Sequence, residues 1–294
     1  MSGAGPMVQA PFGRRLCEVT INEPFGSYRL FGAEDPGGPE PLPGQFYMLM
    51  AEEHWGGAGG ERPYLARAFS VCRTRDRRLD FLVDDIGPGT HALASLSPGQ
   101  ALWVVGPLGI GFSSPASLLP QNGSPRALLV GGGIGVAPLV GLEEALSRTA
   151  VRDRCLLGFR SAAHSQSAEL FSGDVEIATD DGSLGHHGLV TDLLEAELLE
   201  QPGQTVVYGC GPPAMLEATR SLLARHSVPG ELALEEAMAC GFGACNGCVV
   251  QTTSGYRRLC VDGPVMFAGD LDETWLEGSR PPDASVAALE ASQA

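Results

Sequence analysis

Four crowded cysteines constrain this chain more than any other feature: Cys240, Cys245, Cys248 and Cys260, spaced C-x4-C-x2-C with eleven residues before the last. That order is close to the plant-type spacing for a two-iron two-sulfur cluster. The loop between the first two thiols, Gly241-Phe242-Gly243-Ala244, carries two glycines that let the backbone curl and turn amide hydrogens toward sulfur. Tetrahedral zinc also takes four thiolates, but zinc ribbons usually pair two C-x2-C knuckles and this stretch has one. The remaining cysteines, Cys17, Cys72, Cys155 and Cys210, are scattered. In a reducing compartment the crowded set therefore points to metal rather than to disulfides.

Composition narrows the class. With 294 residues, 44% of them hydrophobic, the chain can build two modest domains plus an appendage. Its 35 acidic residues against 19 Lys and Arg give a formal charge of -16 with no basic block, which disfavours a grip on nucleic acid phosphates. No apolar run is long enough to span a bilayer, and the opening residues lack the basic-then-apolar order of a signal peptide, so a cytoplasmic protein is expected.

Short apolar segments separated by turn residues, at 16–21, 28–31, 45–51, 68–72, 79–83 and 101–105, predict a small antiparallel β-barrel over residues 10–118. The stretch 52–63 is too rich in glycine for a strand and reads as a loop. From 119 to 228 the pattern becomes apolar runs alternating with helical spacing, which predicts a parallel sheet covered by helices starting near Val136, Leu189 and Pro213. Residues 229–270 hold too few apolar side chains for a core of their own, so the cysteines and their cofactor are expected to organise them. An acidic tail, 271–294, reads as a frayed helix or as disorder.

Two glycine-rich turns stand at the ends of predicted strands. Gly132, Gly133 and Gly135 lie between an apolar strand and a helix, where backbone amides can receive a pyrophosphate; alone, such a turn equally serves to close strand onto helix. Cys210 and Gly211 end a later strand at the same expected sheet edge, which would set Cys210 toward a nicotinamide or leave it as a small buried residue. Between these turns, TDDGSLGHHGLV offers hydroxyl, carboxylate and glycine groups suited to a ligand turn or to a plain surface loop. Upstream, Arg67 can pair a diphosphate or stand as a solvated surface arginine, Ser70 can approach a flavin edge, and Thr90 can serve as a helix cap.

With these pieces in order, the chain resembles the ferredoxin reductase superfamily, and within it the electron-transfer subunits of dihydroorotate dehydrogenase B. The match runs from the first barrel strands to Phe267 and is most specific over EEAMACGFGACNGCVV and LCVDGPVMF. The resemblance implies an FAD-binding barrel, an NAD-binding α/β domain and a C-terminal 2Fe-2S segment. It places Arg67, Ala68, Phe69 and Ser70 at the family's R-P-x-S flavin motif, with alanine where proline is usual, a change that loosens the turn but removes no hydrogen-bonding group. It sets Leu82, Val83 and Asp84 along the flavin, the strand contributing mainly backbone. Gly89 and Thr90 fall at the diphosphate, residues 106–112 under the flavin, and the four clustered cysteines on the irons.

The implied activity is a relay between NADH, FAD, the cluster and an FMN-containing catalytic partner that oxidises dihydroorotate, in a heterotetramer of two plus two, with no obligatory side-chain acid or base. NAD is expected over NADP because SAAHSQSAEL, after Arg160, lacks a basic cluster, although Arg160 alone leaves the choice open. The alternatives are a reductase component for another acceptor, such as an oxygenase, hydrogenase or transhydrogenase, and a redox-sensing or interaction protein that keeps the fold without turnover.

Overall fold

A computed structural model describes residues 13–52, 63–119, 125–200, 204–272 and 275. Seven strands make the first sheet: β1 (Arg15–Phe25), β2 (Tyr28–Glu34), β3 (Phe46–Ala51), β4 (Arg67–Ser70), β5 (Arg73–Arg75), β6 (Arg78–Val83) and β7 (Ala101–Leu108). All neighbours are antiparallel, in the order β4-β3-β7-β1-β2-β6-β5. Every second residue turns inward, as the pleat requires: Cys17 and Val19, Phe31 and Ala33, Tyr47 and Leu49, Leu79, Phe81 and Val83, Leu102 and Val104 form one core. The edges β4 and β5 are brought together by the chain between them, where the Val71 amide donates to the Gln45 carbonyl and the Cys72 amide to that of Asp80. Helix α1 (Pro88–Ala94), which the strand pattern alone did not predict, covers one end with buried Leu93. The Asn22 side-chain amide holds its C-terminus through the carbonyls of Leu93, Ala94 and Leu96.

After α2 (Pro115–Leu118) come β8 (Arg126–Gly132), α3 (Ala137–Leu146), β9 (Arg152–Phe159), β10 (Val175–Thr179), β11 (His186–His187), α4 (Val190–Glu200), β12 (Thr205–Cys210), α5 (Pro213–His226) and β13 (Gly230–Ala233). Their strands run parallel in the order β11-β10-β9-β8-β12-β13. Alternation divides the strands between two helical layers. Leu128, Val130, Leu156 and Val207 pack with Leu194, Leu198 and Leu216 of α4 and α5, whereas Leu129, Cys155, Leu157 and Tyr208 pack with Leu139, Leu142 and Leu146 of α3. Cys72 and Leu82 of the barrel join that second core, so the two sheets are fastened through α3.

The cysteine segment leaves after β13 and contains β14 (Val249–Thr252), β15 (Gly255–Arg258) and α6 (Leu259–Asp262). It returns as β16 (Val265–Phe267), which pairs antiparallel with β13. The expectation that only its cofactor organises this part needs correction. Leu234, Val250, Leu259 and Met266 share a core with Phe46, Met48 and Leu108 of the barrel and with α5, so the segment borrows apolar surface from both neighbours. The chain is also packed beyond 270: Leu271 is 2% and Trp275 3% exposed, and the Trp275 indole N–H donates to the Glu217 carboxylate at 2.7 Å. The remaining tail and residues 53–62 of the glycine-rich stretch lie outside the described residues. Among the described residues no helix is long and apolar enough to cross a membrane.

Candidate functional site

The thiol loop begins seven residues after β13 and lies against the barrel wall. Gly241 has φ +78°, and a Cβ there would stand 2.6 Å from Met48 Cγ; Gly243 has φ +87°, and a Cβ there would stand 2.6 Å from Val261 Cγ2. Both left-handed backbone and close approach therefore require glycine. Arg258 donates to the Gly243 carbonyl at 3.0 Å, and the Leu259 amide to the Cys248 carbonyl at 2.9 Å, which pins the loop to the segment carrying Cys260.

The sulfurs are linked pairwise. Cys240 and Cys245 share a hydrogen bond on the outer side, where Cys245 is exposed, while Cys248 and Cys260 are 2% and 3% exposed, with the Cys260 amide 3.4 Å from Cys248 Sγ. Burial would raise the Cys240 thiol, but the backbone amides of Phe242 and Cys245, the Cys245 side chain and the Ala244 amide outweigh it and bring the pKa down to about 6. Cys260 is pushed up to about 12, first by burial and then by the Cys248 thiol, against one opposing amide from Gly243. Among the described residues no three His, Cys, Asp or Glu side chains converge as a single-ion centre. Two pairs of thiolates with amides aimed at sulfur nevertheless fit the donor set of a two-iron cluster, which asks for two thiolates on each iron.

A cleft of about 750 Å³ opens at the carboxyl edge of the parallel sheet. Gly132, which ends β8, and Gly133 and Gly135 after it line the cleft together with Gly211 after β12, so the two glycine turns predicted from sequence meet there. They touch backbone to backbone: a Cβ on Gly135 would lie 2.5 Å from Gly211 Cα and 2.6 Å from Gly211 N. Cys210 does not face the cleft as a nicotinamide contact would. It is 1% exposed, because on β12 it shares the parity of Tyr208 and points into the α3 core, where burial, and secondarily Glu235, push its thiol well up.

Sequence reasoning missed Tyr28 and Glu235, both on the wall. Tyr28 comes from β2, and burial, then Asp84, raise its phenol. Glu235 is exposed at the cleft, and desolvation by the protein around it raises its carboxyl. The first residue of a strand after a tight turn and one acid among several near 235 carry no signal of their own.

The barrel-edge residues divide. The Arg67 guanidinium lies directly over Gly89, where a Cβ would meet Arg67 Nε at 2.6 Å, so these two are brought together. Arg67 also donates to the Leu65 carbonyl at 2.5 Å. Ser70 is half-buried, Ala68 packs against the core shared with the thiol segment, and Phe69 turns inward onto Phe81. Leu82 and Val83 are buried in two different cores and can offer only backbone. Asp84 lines the glycine cleft beside Tyr28. The Thr90 hydroxyl accepts from the amides of Ile86 and Gly87 at 3.0 Å and donates back to the Gly87 carbonyl, so it caps α1. Residues 106–112 form the seam between the sheets: Phe112 packs edge-on against Tyr208, and the Ser113 amide that follows donates to Glu231 at 2.8 Å.

The model of the iron-sulfur cluster binding domain of dihydroorotate dehydrogenase B matches residues 235–272, the stretch holding all four clustered thiols. The dihydroorotate dehydrogenase B (NAD(+)) electron transfer subunit of Geobacillus kaustophilus is 40% identical over 236 residues, 78% of this chain and 86% of that protein. The chain belongs to this family. The dihydroorotate dehydrogenase B electron transfer subunit of Clostridium acetobutylicum is 34% identical over 233 residues, 79% of this chain and 87% of the relative. Among solved structures, that of an NADH-dependent reduced ferredoxin-NADP oxidoreductase, from work on flavin-based electron bifurcation, matches with a TM-score of 0.75 at 24% identity. It covers 97% of this chain and 100% of its own, a likeness of fold.

Proposed function

We propose that this chain is the electron-transfer subunit of an NAD-dependent dihydroorotate dehydrogenase, moving electrons between the FMN of a catalytic partner and NAD in pyrimidine biosynthesis. The observation that carries the reading is the position of the barrel edge between two sites. Ala66 and Ala68, on and before β4, pack against the core shared with the thiol segment, while β6 runs out into the glycine cleft through Asp84. A flavin held at β4 and α1 would adjoin both the segment that carries the thiols and the strand that reaches the cleft. Bound there, FAD supplies the exchange between hydride transfer with NADH and single-electron transfer with a 2Fe-2S cluster.

The chain's own groups bind and orient. Arg67 over Gly89 would hold the flavin diphosphate through charge-assisted hydrogen bonds, Ser70 would meet the flavin edge, and β6 would present backbone. The turns at Gly132–Gly135 and Gly211 give the pyrophosphate of NAD a close approach that side chains would block. Cys240, Cys245, Cys248 and Cys260 hold the cluster, and the loop amides favour thiolate at the first of them. On this reading residues 10–118 bind FAD, 119–228 bind NAD and 229–270 bind the cluster, in a cytoplasmic heterotetramer of two plus two.

Anaerobic purification of the full chain with its catalytic partner tests this. The expected outcome is one FAD and one 2Fe-2S cluster per chain, bleaching of the flavin by NADH, and dihydroorotate-dependent reduction of NAD+. A colourless chain, or a coloured one that exchanges electrons with NADH but never with a dihydroorotate-oxidising partner, overturns it.

A further inference from the structure

The barrel and the parallel sheet meet along α3, and one point of that seam lies on a short covalent route between the barrel edge at β4 and the glycine turn. Cys72 follows Ser70 by two positions, and Gly141 follows Gly135 by six, about 9 Å at helical rise. The two ends of that route touch through backbone: a Cβ on Gly141 would stand 3.0 Å from the Cys72 carbonyl oxygen. Cys72 is fully buried and its amide donates to the Asp80 carbonyl at 2.9 Å, so the chain there has no room to retreat. Glycine is a poor helix former, and α3 has no left-handed backbone at 141 to require it. What it supplies in the middle of that helix is close approach.

One turn further along α3 the seam is clamped by charge. Glu144 Oε1 lies 3.3 Å from Arg73 Nε and 3.5 Å from Arg75 Nη2, both on β5. The Arg73 side chain is 12% exposed and reaches a second element of the parallel-sheet domain. Its Nη2 donates to the Leu170 carbonyl at 2.7 Å, at the end of the helical turn Gln166–Leu170 that precedes β10. A shielded arginine with two partners holds its geometry better than an exposed pair. The β1–β2 turn meets the same stretch more loosely, through an exposed hydrogen bond from the Ser27 hydroxyl to the Ala163 carbonyl at 3.3 Å.

We infer that Gly141 and Arg73 are positioning residues for hydride transfer. The glycine lets the barrel lie against α3, the arginine holds it there, and together they set how closely a flavin on the barrel approaches a nicotinamide on the parallel sheet. In that step the C4–H bond of NADH breaks, and its hydrogen with both electrons passes to flavin N5, leaving NAD+ and the anionic reduced flavin. The reacting atoms must stand about 3–3.5 Å apart, and a misplacement of about 1 Å costs about a hundredfold in rate. Neither Gly141 nor Arg73 lines the cleft, so the two act through the placement of the domains. The inference rests on the reading of the barrel edge as a flavin site and of the cleft as a dinucleotide site.

The test is anaerobic stopped-flow mixing of the full chain, flavin and cluster in place, with NADH. It is read together with NADH titration and the long-wavelength charge-transfer absorbance of the nicotinamide–flavin pair. Arg73→Met keeps the aliphatic stem and loses both links. It should slow flavin bleaching about tenfold and weaken the charge-transfer band, with flavin content and the NADH dissociation constant within about twofold of wild type. Gly141→Ala should slow bleaching about fourfold, the same scale applied to a displacement of about 0.3 Å. Arg73→Lys, which keeps the ion pair with Glu144, should retain most of the rate. An unchanged bleaching rate in both Arg73→Met and Gly141→Ala overturns the inference and leaves both sites standing. So does a loss that falls on NADH affinity instead of on rate and absorbance. Failure of NADH to bleach the wild-type flavin overturns the reading of the sites themselves. Should Arg73→Met not fold, Gly141→Ala decides the matter by the same two readouts.

Discussion

The thiol loop and the glycine cleft offer opposite means of holding a ligand. In the loop the donors on offer are side chains, and the backbone serves them by turning amides onto Cys240 and Cys260. In the cleft the donors on offer are backbone amides, and the floor is made where Gly135 and Gly211 meet without side chains between them. A side-chain site fails when an atom is removed; a backbone site fails when an atom is added. The difference says which substitutions each region tolerates, and each contrast can be pressed by experiment.

The largest effect belongs to the buried thiol pair. Cys248→Ser should abolish the 2Fe-2S chromophore while flavin stays bound, read as loss of visible iron-sulfide absorption and of chemically determined iron; full retention of iron would break the contrast. In the cleft the addition of one methyl group should suffice. Gly135→Ala places a carbon 2.5 Å from Gly211 Cα, against backbone that cannot give. NADH affinity should fall on the order of a hundredfold, with stability lowered by about 2 kcal/mol, measured by nucleotide titration and urea unfolding. An affinity loss there with iron content unchanged sharpens the comparison.

Trp275 supplies a control belonging to neither site. Trp275→Ala deletes a side chain 3% exposed together with its hydrogen bond to Glu217, and should cost about 3 kcal/mol in urea unfolding without moving cofactor stoichiometry. Smaller again is Arg67→Lys, which keeps the charge over Gly89 but loses the planar fork. FAD affinity should drop about tenfold, seen as flavin release on dilution. Thr90→Val, which removes the α1 cap, should lower stability by about 1 kcal/mol, with flavin affinity following only as the helix frays.

The same contrast explains what the amino-acid order disclosed. Cys240 to Cys260 was legible because ligand spacing is covalent and local, and the barrel strands were legible because Tyr47, Leu49 and Phe81 alternate with the pleat. Cys210 was misjudged because the end of a strand was read without its parity, which sends that thiol to the α3 side with Tyr208. Asp84 was set along the flavin by resemblance alone, and its place in the cleft beside Tyr28 follows from how β2 and β6 pair. Arg160 and Asp180 are twenty residues apart in sequence and meet only because β9 and β10 are neighbours, a fact of topology that no window of residues contains. Tyr28 and Glu235 reach the wall through contacts between the sheets, for the same reason.

The return of the chain as β16 has a kinetic meaning. Because the thiol segment departs from one strand of the parallel sheet and is stitched back onto that same strand, it is not a tethered arm that swings between donor and acceptor. Cofactors held by these two parts would keep a fixed separation, and solvent viscosity should leave the rate of electron transfer between them untouched.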